Sequence, residues 1–184
     1  MEQRGAQEPG GPSGAASAAT VQLRDGSTVA ILPMGPDEEG RLVRFHHRLS
    51  PETARRRFFS VHPELSPDEL HRFTHVDHVD REAIIAVAQG EIVAVARFDR
   101  IGGGGEAEVA FVVADGWQGR GLGPVLLARL VERARELGLT RFVAETLPEN
   151  RRMISVFRHA GYPITERVED GVVEVSIELG PPAS

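Results

Sequence analysis

Residues Val109 to Pro124, VAFVVADGWQGRGLGP, join an apolar run to a glycine-rich turn that leads into a helix. Such a junction turns backbone N–H groups outward at the start of the helix, where they have no intrahelical partner and lie at the positive end of the helix dipole. Glycine lets the backbone approach an anion closely, and Pro124 in the first helical turn gives up no hydrogen bond. The segment therefore predicts a phosphate-binding turn between a strand and a helix.

Two common phosphate-binding motifs are excluded at this turn. A dinucleotide fingerprint needs a third glycine, and Pro124 stands in its place after Gly119 and Gly121. A P-loop needs a lysine, and all 21 basic residues of the chain are arginine. The glycines by themselves are equally compatible with a tight turn that binds nothing.

On both sides of this segment, the order of elements predicts an α/β domain with a mixed sheet and helices on both faces. Hairpin turns are predicted at Asp25-Gly26, Gln89-Gly90 and Asp170-Gly171. Helices are predicted from Pro36, Ser50-Pro51 and Ser66-Pro67, from about Pro124 to Glu136, and from Glu149 to Ala160.

Length and composition indicate one folded domain. The 184 residues suit a single hydrophobic core. Met1 to Ala19 are rich in Gly, Ala, Pro and Ser without hydrophobic periodicity, so we expect a disordered tail over 1–19 and a single domain over 20–180.

Charge and hydropathy exclude several classes of partner. A formal net charge of −6 argues against general nucleic-acid binding. The longest apolar runs, Ala83 to Ala88 and Val109 to Ala114, are too short to cross a bilayer, so no membrane partner is expected. The chain has no cysteine, which excludes disulfides and thiolate metal sites and suits a reducing compartment such as the cytoplasm.

Two polar clusters are not interpreted as metal or nucleic-acid sites; the first is expected to be a solvated loop or a wall of the acceptor site. In His75-Val76-Asp77-His78-Val79-Asp80, an extended backbone would point the potential ligands to opposite sides, so no metal is expected. Arg55-Arg56-Arg57 is interpreted as one turn of an exposed helix.

The glycine-rich turn resembles a known family. Gln118 to Gly123, QGRGLG, is similar to the Q/R-x-x-G-x-G/A signature of the GNAT superfamily of N-acetyltransferases. The stretches Glu149 to Met153 and Phe157 to Tyr162 resemble its second motif, an Asn-led helix ending in Gly and an aromatic residue. Similarity to bacterial Pat-type protein lysine acetyltransferases, including the mycobacterial branch, is found in Leu49 to Thr53, Arg57 to Phe59, Ser66 to Leu70 and Ala107 to Phe111.

This resemblance implies a GNAT fold, with a mixed, mostly antiparallel sheet of six to seven strands flanked by helices on both faces. It implies acetyl-CoA as cosubstrate and a lysine-bearing protein as acceptor. The implied coenzyme-binding residues are Phe111, Val112, Val113, Gln118, Gly119, Arg120, Gly121, Leu122, Gly123, Pro124, Asn150 and His159.

The roles implied within this set differ. The pantetheine arm would pair with the backbone of Phe111 to Val113 as an added strand does. Asn150 would hold the arm, although its position also suits a helix N-cap. Family members often have a cation at the position of His159.

A carboxylate on the strand before the turn is the candidate general base. Side chains alternate along a strand, so Glu108 points away from the apolar face formed by Val109, Phe111 and Val113. Related acetyltransferases have a glutamate base at this place, which favours Glu108. Glu106 has the same parity and is the second candidate.

One residue departs from the family pattern. Many members have a tyrosine where this chain has Phe157, and that tyrosine protonates the leaving thiolate. A thiol of pKa ~8.5 leaves acceptably as the thiolate, so the reaction does not require this acid. Tyr162, the only tyrosine, is expected to be a packing residue.

Two alternatives to protein acetylation stay open. One is transfer to a small amine such as a polyamine, an amino acid or an aminoglycoside. The other is a non-catalytic acyl-CoA sensor, which Phe157 favours and the carboxylate of Glu108 opposes. Residues 115–160 have a net charge of +3, which suits coenzyme phosphates, and the acidic remainder suits a cationic acceptor.

The turn predicts ligand-linked stability. Acetyl-CoA at ~100 times its Kd should stabilise the folded protein by ~2.7 kcal/mol and raise Tm in a thermal shift measurement. NADH and ATP at the same concentration should raise Tm much less. Equal stabilisation by all three would indicate a general nucleotide site.

Overall fold

The structure is a computed structural model and describes residues 15–60 and 64–180. The strands are β1 (Ala19–Gln22), β2 (Thr28–Pro33), β3 (Arg81–Ala88), β4 (Glu91–Arg100), β5 (Glu106–Val113), β6 (Arg141–Thr146), β7 (Ile164–Glu169) and β8 (Val172–Glu178). The helices are α1 (Glu39–His47), α2 (Pro51–Phe58), α3 (Pro67–Thr74), α4 (Leu122–Glu136) and α5 (Arg151–Arg158), with short 3-10 helices at Pro36–Glu38 and Asp115–Trp117.

The strands form one sheet in the order β1-β2-β3-β4-β5-β6-β8-β7. Neighbours pair antiparallel except β5 and β6, which are parallel because α4 crosses between them. This parallel pairing is short: Glu106 lies opposite Arg141, and pairing ends where Glu108 lies opposite Val143. Since β5 continues to Val113 and β6 to Thr146, the two strands part beyond Glu108.

Helices cover both faces of the sheet. Helices α4 and α5 pack on one face over a large core that includes Leu126, Leu130, Phe142 and Phe157. On the other face, α1 contributes Leu42 and Phe45 to a smaller core, and side chains of α3 pack against it. Within the described residues, no helix is both long and apolar enough to cross a membrane.

The elements expected from local sequence signals are confirmed, with shifted boundaries. Ser50 and Ser66 cap α2 and α3, and Ser66 forms a reciprocal capping box with Glu69. At the hairpin Asp170-Gly171 both residues have positive φ, 48° and 79°, as a type I′ turn requires. Helix α4 begins two residues before Pro124, whose missing N–H still costs no intrahelical bond.

The structure differs from two predictions: the number of strands in the sheet and the end of the N-terminal tail. The sheet has eight strands in the described chain rather than six to seven, because β1 and β7 both pair as edge strands. Ala19, assigned to the tail, is the first residue of β1 and lies opposite Ile31. Residues 1–14, the rest of the predicted tail, lie outside the described residues.

One glycine of the turn is needed for helix packing. A Cβ on Gly123 in α4 would lie 2.9 Å from Cγ2 of Val156 in α5, closer than two carbon atoms can approach. The branched Val156 side chain has little freedom to move aside. Gly123 therefore allows α4 and α5 to pack closely beside the turn.

This contact predicts that Gly123→Ala lowers the free energy of unfolding by about 1–3 kcal/mol through overpacking, measured by urea denaturation. Gly40 is the matched control: it is also the second residue of a helix, and the nearest atom to its added Cβ is 3.7 Å away. Gly40→Ala should leave stability unchanged or raise it slightly.

A double variant tests the cause. Adding Val156→Ala to Gly123→Ala removes the clashing methyl group. The double variant should therefore be about 0.5–3 kcal/mol more stable than the sum of the two single effects predicts. Additive effects would show that the clash with Val156 is not the reason for the glycine.

Candidate functional site

A cavity of about 460 Å³ lies where β5 and β6 part. Its walls come from the end of β5, the glycine-rich turn, the first turn of α4 and the start of α5. From these elements, its lining includes Phe111, Val112, Val113, Trp117, Gln118, Gly119, Gly121, Leu122, Gly123, Pro124, Asn150, Met153, Ser155 and Val156. The lining is completed by Thr53 and by the five arginines described below.

The cavity lies along the part of β5 that has no paired neighbour on the β6 side. Phe111 to Val113 line it, and they lie beyond the last β5–β6 pair at Glu108. Backbone N–H and C=O groups need hydrogen-bond partners when they are shielded from water. An extended ligand with its own amides can pair with this free edge as an added strand does.

The glycine-rich turn forms the anion-binding end of the cavity. Gly119 and Gly121 have φ of +77° and +95°, a conformation that residues with a side chain rarely adopt. Gly121 is the N-cap of α4, so the free N–H groups of the first helical turn border the cavity. This geometry suits a phosphate or pyrophosphate.

Arginines surround this end. Five line the cavity: Arg24, Arg56, Arg57, Arg151 and Arg152. None of the lining residues is acidic. They come from the β1–β2 turn, α2 and α5, so the tertiary fold brings together cations that are distant in sequence. Such a wall suits a ligand with several phosphates.

Ten of the twelve predicted coenzyme residues line the cavity, and two do not. Arg120 donates to Asp25 at 3.1 Å and stacks over the Trp117 ring at 4.7 Å, so it ties the β1–β2 turn to the glycine-rich turn. His159 lies at the end of α5, where its Nδ1 is 2.8 Å from the carbonyl oxygen of Ser155.

Asn150 caps α5, as its position suggested. Its Oδ1 accepts from the N–H of Met153 at 3.4 Å, and its Nδ2 donates to Oγ1 of Thr146 at the end of β6 at 3.0 Å. Asn150 also lines the cavity, so its capping position and its position beside a ligand are compatible.

A hydrogen-bond network fastens α2 to the end of β5. Asp115 accepts from the N–H and hydroxyl of Ser50 at 3.0 and 2.7 Å, and from the hydroxyl of Thr53 at 2.8 Å. Partial burial opposes ionisation of Asp115, but these hydrogen bonds outweigh it and lower the pKa of the carboxyl group. Gln118 donates to Thr53 at 3.2 Å and to the Val113 carbonyl at 3.1 Å, which extends the network to the turn.

Glu108 lies at the point where β5 and β6 part. Its side chain is exposed, while Val109 and Phe111 are buried, so the predicted alternation is confirmed. Among the described residues, none forms a hydrogen bond or a close ion pair with Glu108. Glu106 differs, because Arg141 lies 3.3 Å from its carboxylate.

The two aromatic residues of the second motif are packing residues. Phe157 is 1% exposed and meets Phe111 edge to face, with ring centroids 6.0 Å apart. Tyr162 packs against the large core, and Arg135 stacks over its ring at 5.4 Å, which confirms its expected role.

Sequence interpretation missed the arginines of α2. Arg55 is exposed and pairs with Glu149, but Arg56 and Arg57 are half-buried and line the cavity, so the interpretation of all three as one exposed turn was wrong. The hydrogen bonds of Asp115 hold α2 at the end of β5 and so bring these arginines to the cavity. These contacts form only in the folded protein and cannot be read from the sequence. Arg151 and Arg152 directly follow Asn150 and could have been included with it.

The polar segment from His75 to Asp80 is not gathered into one site. Nδ1 of His78 lies 2.7 Å from the buried carboxylate of Glu82, and Asp77 accepts backbone N–H groups of its own turn. Within the described chain, one group of three possible metal ligands is close together: Glu39, His71 and His75, with ligand atoms within 4.8 Å of one another. None of the three lines the cavity.

A parallel strand pair that parts beside a glycine-rich turn, with arginines in the cavity wall, defines an α/β protein with a site for an extended anionic ligand. Residues 48–162 match the model of the acetyltransferase (GNAT) family. The chain belongs to this family.

Relatives agree with that assignment. The chain is 34% identical over 164 residues to Acetyltransferase Pat of Mycolicibacterium smegmatis, an alignment that covers 88% of this chain and 49% of the relative. It is 33% identical over 135 residues to Acetyltransferase PA5475 of Pseudomonas aeruginosa, covering 71% and 73% of the two chains. The chain thus spans about half the length of the mycobacterial relative.

A solved structure is similar throughout. The GNAT domain of S. lividans PAT superposes with a TM-score of 0.82 at 46% identity, covering 88% of this chain and 96% of that one.

The turn predicts that Gly121→Val weakens coenzyme A binding by about tenfold or more, because a branched side chain stands where an anion would approach the backbone. Isothermal titration calorimetry measures this affinity. Gly138→Val is the matched control: Gly138 also has positive φ, +75°, but follows α4 at its other end, in open space.

Both variants should lose stability through backbone strain, and only Gly121→Val should lose affinity. Equal coenzyme affinity in the two folded variants would contradict a phosphate site at this turn.

Proposed function

We propose that the protein transfers the acetyl group of acetyl-CoA to lysine side chains of proteins by direct attack, with Glu108 as the general base. The observation on which this proposal rests is the position of Glu108: an exposed carboxylate at the last β5–β6 pair, on the strand whose end lines the arginine-rich cavity. We further propose a reducing, cytoplasmic compartment, which suits a chain without cysteine.

The coenzyme would bind along the cavity in two parts. Its phosphates would lie against the N–H groups of the turn and the cavity arginines other than Arg57. Its pantetheine arm would pair with the free edge of β5 at Phe111 to Val113. This arrangement directs the thioester toward the point where the strands part, and a backbone N–H there can polarise its carbonyl group.

The chemical step then needs one proton acceptor. An ammonium of pKa ~10.4 must lose a proton before its nitrogen can attack, and Glu108 would take it directly or through a water molecule. The new C–N bond forms as the C–S bond breaks. The nitrogen loses a second proton, and the departing thiolate takes one up, so the products are the amide and free coenzyme A.

Glu108 is favoured over Glu106 by its surroundings. The carboxylate of Glu106 lies 3.3 Å from Arg141, whose pKa is raised by its hydrogen bonds with Glu178 and Glu106. Contact with an acceptor amine would require the carboxylate of Glu106 to give up this ion pair. The exposed carboxylate of Glu108 has no hydrogen bond or close ion pair within the described residues, and its interaction with Arg57 is electrostatic only.

Two features support a protein lysine as the acceptor. The chain is 34% identical to Acetyltransferase Pat over 88% of its length. The residues outside 115–160 are strongly acidic, which attracts cationic surfaces. An acetyl-lysine blot of a cell lysate treated with enzyme and acetyl-CoA tests this acceptor class. Because the chain has no lysine, acetylation of its own lysines cannot obscure the blot.

Glu108→Gln should lower kcat by about 10²–10⁴ with little change in acetyl-CoA affinity, because the amide keeps the shape but cannot accept the proton. Coenzyme release followed with a thiol reagent measures kcat. Raising the pH should partly restore the rate, since more amine is then already deprotonated.

Glu106→Gln is the matched control on the same strand and face. It should lose only an exposed ion pair, worth about 0–1 kcal/mol, and keep near-normal turnover. Loss of turnover in Glu106→Gln alone would assign the base to Glu106. An equal fall in rate and in coenzyme affinity for Glu108→Gln would make Glu108 a structural residue.

A further inference from the structure

A second set of charged side chains lies beside Glu108, on the sheet face covered by α2 and α3. In the β4–β5 register, Asp99 lies opposite Glu108, and Arg97 lies opposite Ala110. Arg97 is buried, at 5% exposure, and binds Asp99 through Nε at 3.0 Å and Nη2 at 2.9 Å. Its Nη1 is also buried and has no hydrogen-bond partner among the described residues.

An unpaired buried donor of this kind is unusual. A guanidinium removed from water without full pairing costs free energy, and such a group is usually completed by an ordered water, an ion or a ligand. The Phe73 ring, whose centre is 4.8 Å from the Arg97 guanidinium, offers no hydrogen-bond acceptor in the plane of that group. Arg97 therefore points to an acceptor group that binds from outside the chain.

Arg57 of α2 is the second cation at this place. It is half-buried, and among the described residues no side chain or backbone oxygen forms a hydrogen bond with it. Its guanidinium lies 5.0 Å from the centre of the Phe58 ring. Burial and the nearby charge of Arg97 lower the pKa of Arg57 to about 10, so it stays charged at neutral pH and lacks a full counter-charge.

Both arginines line a small second cavity of about 40 Å³, with the apolar side chains of Phe58, Phe73 and Val112 around it. Arg57 also lines the first cavity, so it stands between the two. The space is large enough for a small polar group and too small for a whole side chain.

The carboxylates of the chain do not satisfy this site. Glu108 interacts with Arg57 electrostatically but forms no close ion pair with it. Asp99 is already held by two donors of Arg97, and Arg72 lies 3.8 Å from it. Three guanidiniums thus face two carboxylates, and the group retains one positive charge.

We propose that Arg57 and Arg97 bind a carboxylate of the acceptor, while the acceptor amine lies at Glu108. This inference rests on one part of the proposed function, acetyl transfer to an amine with Glu108 as the base, and it specifies the acceptor class: an amine with a carboxylate close to it. Two sources offer that chemistry, the side chain of an acidic residue next to the target lysine and the α-carboxylate of a free amino acid.

Matched acceptor pairs test the proposal at saturating acetyl-CoA. The first pair is an end-blocked peptide with a single lysine followed by Glu or by Gln. The second pair is free lysine and lysine amide. For wild type, kcat/KM should favour the carboxylate member of one pair by about tenfold or more, as a charged hydrogen bond is worth about 1.5 kcal/mol or more.

Both members of a pair are measured with the same enzyme preparation, so the ratio of their kcat/KM values does not depend on the fraction of enzyme that is folded. Arg57→Gln should bring this ratio close to one. Arg55→Gln should keep it, because Arg55 lies on the same helix but is exposed and pairs with Glu149. A preference in the peptide pair alone identifies a side-chain carboxylate, and a preference in the free-lysine pair alone identifies an α-carboxylate.

A binding measurement needs no turnover. Calorimetry of the acetylated Glu and Gln peptides, with coenzyme A bound to the protein, should show the same preference in Kd and its loss in Arg57→Gln. Equal kcat/KM within both pairs, together with equal Kd for the two acetylated peptides, would overturn the proposal and leave protein acetylation intact. If acetyl-CoA stabilises the protein but no acceptor is acetylated, the proposed function is refuted. In that case the Kd values of the two peptides still test whether Arg57 and Arg97 bind a carboxylate.

Discussion

The parting of β5 and β6 beyond Glu108 is the constraint from which the rest of the site follows. A parallel pair that stayed closed to its end would satisfy the backbone of Phe111 to Val113 and leave no space for a ligand. Because pairing stops at Glu108, the edge of β5 is free and a cavity opens beside it. Glu108 is the last residue of β5 that pairs with β6, and its exposed side chain precedes the stretch of β5 that lines the cavity.

An open strand pair in the middle of a sheet must be held apart by its surroundings. Gly123 lets α4 and α5 pack closely, so the helices that follow the two strands support the opening from one face. On the other face, Asp115 fastens α2 across the end of β5 through Ser50 and Thr53. Both supports act whether or not a ligand is present, so the site is preorganised and coenzyme binding need not order it.

Much of this arrangement could be predicted from the sequence, because its causes are local. The capping serines, the turn glycines and the alternation of β5 depend on residues within a few positions of one another, and the structure confirms them. The arginine wall could not be predicted, since Arg24, Arg56 and Arg57 reach the cavity only through tertiary contacts. Arg120 belongs to the sequence signature, yet in the structure it contacts Asp25 and Trp117 and is not among the residues that line the cavity.

Helix α2 connects the two halves of the site. Its consecutive arginines face different surroundings: Arg55 lies on the surface, Arg56 lines the first cavity, and Arg57 lines both. Asp115 fixes the start of this helix to the end of β5, so the position of Arg57 depends on the strand along which the pantetheine arm is proposed to bind. Coenzyme and acceptor would therefore be aligned by one rigid unit, and a shift of α2 would disturb the acceptor carboxylate and the coenzyme phosphates together.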